Sequence, residues 1–343
     1  MAIMRHFCSN EGRAAAQTPQ ELRLSVIVHI GSPKTGTTSI QNTLSQNEAA
    51  LSQLGFRYAR AFRKGPSHNF MTVLLRQGEG AFVARKLDRE ARLSDTAQII
   101  LSSELLFALD GGALLEQALS PNLKDDLRII CYLRRPDLYA EAMFKQRLKS
   151  GKLRVPFRKF LRTRMETLRY LPILKQFSQR FGQTVLVPRI FSSTTLSGGD
   201  VVEDFLDLVG VRDRSDLAKE HGQSNKTLSL EASQAVGEIT FNSSKERRDT
   251  IRHLMLTADA ALFRSRDILD PTARSELLNS VSEDLEQIRH MYFPDREQLF
   301  STHDLEQNSD APWPSPQQRR ESLELARQVV AEAHQAISAR AEG

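Results

Sequence analysis

The sequence predicts an α/β protein: a three-layer α/β/α sandwich around a central, mostly parallel sheet of about five strands, with a helical part at the C-terminal end. Three observations carry this. Short, nearly all-apolar runs (VIVHI at 26–30, QIIL at 98–101, LRIICYL at 127–133) alternate with longer segments of helical period. Runs of that kind fit strands buried on both faces, as parallel strands are. The first run also passes through a glycine-rich loop straight into a helical pattern, the usual order of a strand–loop–helix unit.

Residues 1–22 are mixed, Ala- and Gln-rich and without period, and read as a flexible arm. The first strand, 25–30, leads into Gly31-Ser-Pro-Lys-Thr-Gly-Thr-Thr-Ser39 and a helix with Ile40 and Leu44 on one face, ended before Gly55. A short second strand is expected at 55–58, a polar turn at 63–69 and helices at 70–76 and 82–93. The third strand, 98–101, runs into Ser102-Ser103-Glu104, and the fourth, 127–133, into Arg134-Arg135-Pro136. A helix over 137–149 and one long or broken helix over 156–181 follow, then a fifth strand at 184–187 stopped by Pro188-Arg189. Ser197-Gly-Gly-Asp200 caps a helix over 201–209 that Gly210 closes. A polar loop at 221–229 precedes helices through 292. The expected division is an α/β domain at 23–305, a linker at 306–318 around NSDAPWPSP, and an amphipathic helix at 319–343. Leu323, Ala326, Val330, Ala333 and Ile337 line that helix and suit docking onto the domain or onto a second subunit, giving a homodimer.

Composition narrows the function. A chain of 343 residues, 40% hydrophobic and 26% charged, is ordinary for a soluble globular protein with a large core. A net charge of +5 suits anionic ligands but is too dispersed for a nucleic-acid surface. Two cysteines, Cys8 and Cys131, exclude a disulfide framework. No apolar run has membrane-spanning length, and the first residues lack the apolar core of a secretory leader. A cytoplasmic protein is expected. No Cys/His spacing suits a metal.

A strand, a glycine loop and a helix N-terminus cradle a phosphate, because loop amides point at the anion and the helix dipole favours it. Here Lys34 adds a cation and Thr37, Thr38 and Ser39 add hydroxyls. Gly31 and Gly36 have the spacing of G-x-x-x-x-G-K-[ST], but Thr37 stands where the lysine belongs and Lys34 lies inside the loop. That loses the lysine placement a nucleoside triphosphatase uses with Mg²⁺, and favours a shorter phosphate group without an obligatory metal. A glycine turn with no ligand is the plain alternative.

Ligands of parallel sheets sit beyond the carboxyl ends of the strands. The polar clusters after the first, third and fourth strands all fall there and read as one site. Arg134 is placed to grip a second phosphate bidentately, or else is a solvated arginine. Glu104 fits a general base, or a carboxylate in the first turn of a helix capped by Ser102 or Ser103. His68, in the turn after the second strand, is the rival base, or a bland loop residue.

The segment PKTGTTS at 33–39 resembles the 5′-phosphosulfate loop of bacterial-type sulfotransferases. YLRRPDLYAEA at 132–142 resembles the segment with which those enzymes hold the 3′-phosphate of their donor, and MYFPDREQLF at 291–300 resembles their closing segment. In motif order the likeness covers about residues 25–300. It implies a P-loop-like fold, 3′-phosphoadenosine-5′-phosphosulfate as donor, 3′-phosphoadenosine-5′-phosphate as product, and no metal. It implies Lys34, Thr35, Gly36, Thr37, Thr38 and Ser39 at the 5′-phosphate and Arg134 at the 3′-phosphate. Lys34 would also stabilise the leaving oxygen, and Glu104 or His68 would take the proton of an acceptor hydroxyl, on a glycan or a small metabolite. The family carries Ser eight residues after the arginine; this chain has Ala142, with Lys145 or Arg147 nearby as substitute cations, and the likeness of the 221–229 loop to one that covers the donor implies Lys226 at the 3′-phosphate. Two other readings stand beside this one: a P-loop kinase, and a nucleotide-binding protein without turnover.

Overall fold

Five apolar runs become the strands of one sheet, and every pairing in it is parallel. The computed structural model describes residues 24–342 apart from 95, 154, 219–225 and 308–312. The strands are β1 (Ser25–His29), β2 (Phe56–Tyr58), β3 (Gln98–Ser102), β4 (Leu127–Leu133) and β5 (Leu186–Ile190), in the order β2-β3-β1-β4-β5. The main helices are α1 (Thr37–Gln46), α2 (Asn69–Arg76), α3 (Gly80–Arg92), α4 (Gly111–Ala118), α5 (Pro136–Lys149), α6 (Tyr170–Phe181) and α7 (Val201–Val209). They continue with α8 (Leu230–Glu238), α9 (Ser244–Thr257), α10 (Pro271–Ser280), α11 (Ser282–Tyr292) and α12 (Pro316–Glu342). Shorter helical turns lie between them.

The strands are apolar throughout because both faces are covered. Ile27, Ile100, Ile130 and Tyr132 meet α1 and α7 on one face. Val26, Val28, Ile99, Leu101, Ile129 and Cys131 meet α2, α3, α4 and α6 on the other. This is the three-layer α/β/α arrangement. The register pairs His29 with Ser102 and with Ile130, so β1 and β3 end level while β4 runs on to Leu133. Their loops therefore open at one edge.

A second helical layer leans on the first. Leu228, Ala235, Val236, Leu254, Ala326, Val330 and Ala333 form a separate core among α8, α9 and α12. The apolar stripe of α12 is thus buried against helices of its own chain, the first of the two partners its sequence allowed. Packing of α8 on α5 is so close that a Cβ on Gly237 would stand 2.1 Å from the Leu148 carbonyl oxygen. At the other end of α5, Arg135 pairs with Asp137 and Asp304, and Arg274 with Asp137 and Glu141.

One strand differs from expectation. β5 starts two residues late, after a 3₁₀ turn at Gln183–Val185, and runs through Pro188 instead of stopping before it. Proline is tolerated there because β5 is the last strand of the sheet. The 156–181 segment breaks into Phe157–Arg162, Met165–Leu168 and α6. The expected arm at 1–22, most of the 221–229 loop and the middle of the linker lie outside the described residues. Among the described residues no helix is long and apolar enough to cross a membrane.

Phe205 of α7 is 1% exposed and packs on the His29 ring at 5.4 Å between centroids. Phe205→Ala is expected to lower the unfolding free energy by about 3–5 kcal/mol, read by urea denaturation.

Candidate active site

The loop after β1 is held in a shape that few residues adopt. Gly31, Lys34 and Gly36 have φ of 68°, 68° and 76°. A Cβ on Gly36 would lie 2.5 Å from Val201 Cγ1, and one on Gly31 would lie 3.1 Å from both Glu104 Cβ and Thr37 Oγ1. Lys34 has a Cβ, so its left-handed backbone costs on the order of 1–3 kcal/mol. The surroundings compensate: Arg134 donates from Nη1 to the Lys34 carbonyl at 2.9 Å, and the Thr35 hydroxyl donates to the Ser32 carbonyl at 2.6 Å.

The expected hydroxyls divide. Thr35 and Thr37 are buried and point at the Ser32 carbonyl, so they shape the loop. Thr38 is exposed and Ser39 half-buried at the start of α1. Gly36 caps α1 without a side-chain hydrogen bond, and no acidic residue occupies its first turn. The Ser39 and Ile40 amides both donate to the Gly36 carbonyl, at 3.0 and 3.2 Å, and the amides of Thr37 and Thr38 precede these first bonds of the helix. The Thr37 hydroxyl thus stays with the loop.

Lys34, Glu104 and Arg134 converge here. Lys34 Nζ donates to Gln146 Oε1 of α5 at 3.3 Å. Burial lowers its pKa, Arg134 lowers it further, and Glu104 acts in the opposite sense. Arg134 is half-buried, with its guanidinium over the Phe191 ring at 5.7 Å, and its own carbonyl accepts from the Tyr170 hydroxyl at 2.8 Å. Glu104 is half-buried beside Gly31, at the start of a 3₁₀ turn, Glu104–Leu106, and not of the longer helix its sequence suggested. Next to it the Ser103 hydroxyl donates to Asn69 Oδ1 at 2.9 Å and meets Thr72 Oγ1 at 2.7 Å.

His68 has a different task. It is fully buried; Nδ1 accepts from the Ser102 amide at 3.1 Å and Nε2 donates to the Ala59 carbonyl at 2.8 Å. Both nitrogens join β2 to the end of β3, which leaves neither to take a proton from a ligand. Lys145 is likewise occupied, paired with Asp267 at 2.5 Å and with the Arg264 carbonyl at 2.6 Å. Lys226 lies over the Phe263 ring. Ala142 is buried on α5 and supplies no hydroxyl.

One residue escaped the sequence reading. Lys149 is half-buried at the end of α5, where burial, then Lys34 and Lys145, lower its pKa to about 8. In sequence it looks like a cation complementing a helix C-terminus. Only the fold brings it near Lys34. Among the described residues no cluster of His, Cys, Asp and Glu is arranged to hold a metal.

Fold and loop together define a class: a parallel three-layer α/β protein with a glycine loop at a helix N-terminus, ringed by a lysine, an arginine and a glutamate. No family model matches the chain. An uncharacterized protein of Archaeoglobus fulgidus is 26% identical over 215 residues, which are 61% of this chain and 57% of that protein. The chain thus spans little more than half the length of that relative. The crystal structure of a sulfotransferase from Alicyclobacillus acidocaldarius is similar with a TM-score of 0.41 and 15% identity, covering 78% of this chain and 95% of that one.

Burial holds the His68 pKa at about 4 and the His29 pKa at about 3. Both lie below the unfolded value of about 6.5, so between pH 6.5 and 4 the unfolded chain binds protons that the folded chain refuses. Stability is expected to fall as pH drops through that window, by up to about 3 kcal/mol for His68 alone. His68→Gln, which can still donate and accept, should flatten the slope in urea titrations at several pH values; an unchanged slope would contradict the enclosure of His68.

Proposed function

We propose that the protein is a sulfotransferase that moves a sulfuryl group from 3′-phosphoadenosine-5′-phosphosulfate to an acceptor hydroxyl, on a glycan or a small hydroxylated metabolite. The observation that carries the reading is the convergence of the glycine loop, Lys34, Glu104 and Arg134 at the carboxyl edge of β1, β3 and β4, with the lysine inside the loop and not after its second glycine. The likeness of residues 33–39 and 132–142 to sulfotransferase segments supports it.

In this reading the loop amides and the start of α1, with Thr38 and Ser39, hold the 5′-phosphate, and Arg134 holds the 3′-phosphate. Glu104 takes the acceptor proton, because His68 has both nitrogens engaged. The acceptor oxygen bonds to sulfur as the bond from sulfur to the 5′-phosphate oxygen breaks. Lys34 neutralises the charge growing on that oxygen, a contribution made mainly in the transition state. Ala142 favours a second reading, a nucleotide-binding protein without turnover, since a hydroxyl that would complete the 3′-phosphate site is missing.

Calorimetric titration with 3′-phosphoadenosine-5′-phosphate should give micromolar binding without Mg²⁺, weakened at least about tenfold by Arg134→Ala, the scale of a charged hydrogen bond. Preference for ATP with Mg²⁺ would overturn the sulfotransferase reading in favour of a kinase. Glu104→Gln should keep nucleotide affinity and lower turnover by about two decades or more. Wild-type binding without turnover on any hydroxylated acceptor would favour the second reading.

A further inference from the structure

The side of α5 that reaches the glycine loop carries Ala142, Gln146 and Lys149, spaced i, i+4 and i+7 and so aligned in one stripe. Gln146 anchors the geometry, because its Oε1 accepts from Lys34 Nζ at 3.3 Å. Lys149 stands one turn beyond it. Lys34 is stretched between two points: its carbonyl is held by Arg134, just before α5 begins, and its ammonium lies near the far end of that helix.

The charges around this end of α5 do not cancel. The charges that act on Lys149 are those of Lys34 and Lys145, both cations. Lys145 is neutralised by Asp267. That leaves the half-buried ammonium groups of Lys34 and Lys149, with Arg134 also acting on Lys34, against the single carboxylate of Glu104. Like charges kept close and partly out of water are unfavourable unless an anion comes between them.

We propose that Lys149 is the second cation of the transfer site and, with Lys34, binds the non-bridging oxygens of the sulfuryl group. The assignment rests on the sulfotransferase reading. It places the sulfuryl group between the ammonium groups of Lys34 and Lys149.

The test separates the sulfuryl group from the rest of the donor. Affinities of 3′-phosphoadenosine-5′-phosphosulfate and of 3′-phosphoadenosine-5′-phosphate are measured by calorimetry on wild type, Lys149→Met and Lys149→Arg. The methionine variant should bind the phosphosulfate roughly ten- to a hundredfold more weakly and the bisphosphate within about twofold of wild type. The arginine variant should recover most of the phosphosulfate affinity. Bisphosphate binding serves as the control for folding. An affinity ratio equal in wild type and Lys149→Met would overturn the proposal while leaving the sulfotransferase reading in place. Failure of the wild type to bind either nucleotide would overturn both.

Discussion

The hydrogen bond from Arg134 to the Lys34 carbonyl is the contact on which the site depends. It ties the end of β4 to the loop after β1, and it fixes a backbone that a residue with a side chain rarely adopts. With the carbonyl held, the Lys34 side chain reaches Gln146 of α5. The loop can then lead into α1 with its first amides open. The next residue does the opposite work. Successive side chains at a strand end face opposite sides, so Arg135 turns from the loop into ion pairs with Asp137 and Asp304. Two adjacent arginines of identical chemistry are separated by backbone geometry alone.

The ion pairs around Arg135 are not a source of large net stability, since desolvation of Arg274, Asp137 and Glu141 offsets most of their attraction. Their value is positional. They clamp the first turns of α5 to α10 and to the segment around Asp304, while α8 meets the last turn of α5 through Gly237. A helix held at both ends presents its intervening face in one orientation, and that face carries Gln146 and Lys149.

Much of this was legible in the chain, and what was not has identifiable causes. β4 was readable to the residue because its apolar run is long and sharply bounded. β5 was not, because Pro188 is a breaker in most strands and harmless in this one. The loop could be located, yet the direction of its hydroxyls could not: Thr35 and Thr37 serve the Ser32 carbonyl, a local contact that competes with ligand binding and leaves no trace in spacing. His68 looked like a base because a loop histidine usually meets water. The fold closes that turn over β3, and both nitrogens find backbone partners. Lys149 is the converse case, an ordinary helix-end lysine made unusual by a loop more than a hundred residues earlier in the chain.

Pro188 has one more effect. The Phe191 amide donates to the Leu133 carbonyl, so amides at odd positions of β5 face β4 and those at even positions face outward. Pro188 falls on the outward side, where the sheet ends. It removes a donor from the row that another chain's strand would pair with. The residue that obscured β5 in the sequence also makes that margin a poor template for intermolecular strand addition, a safeguard against aggregation that costs the native ladder nothing.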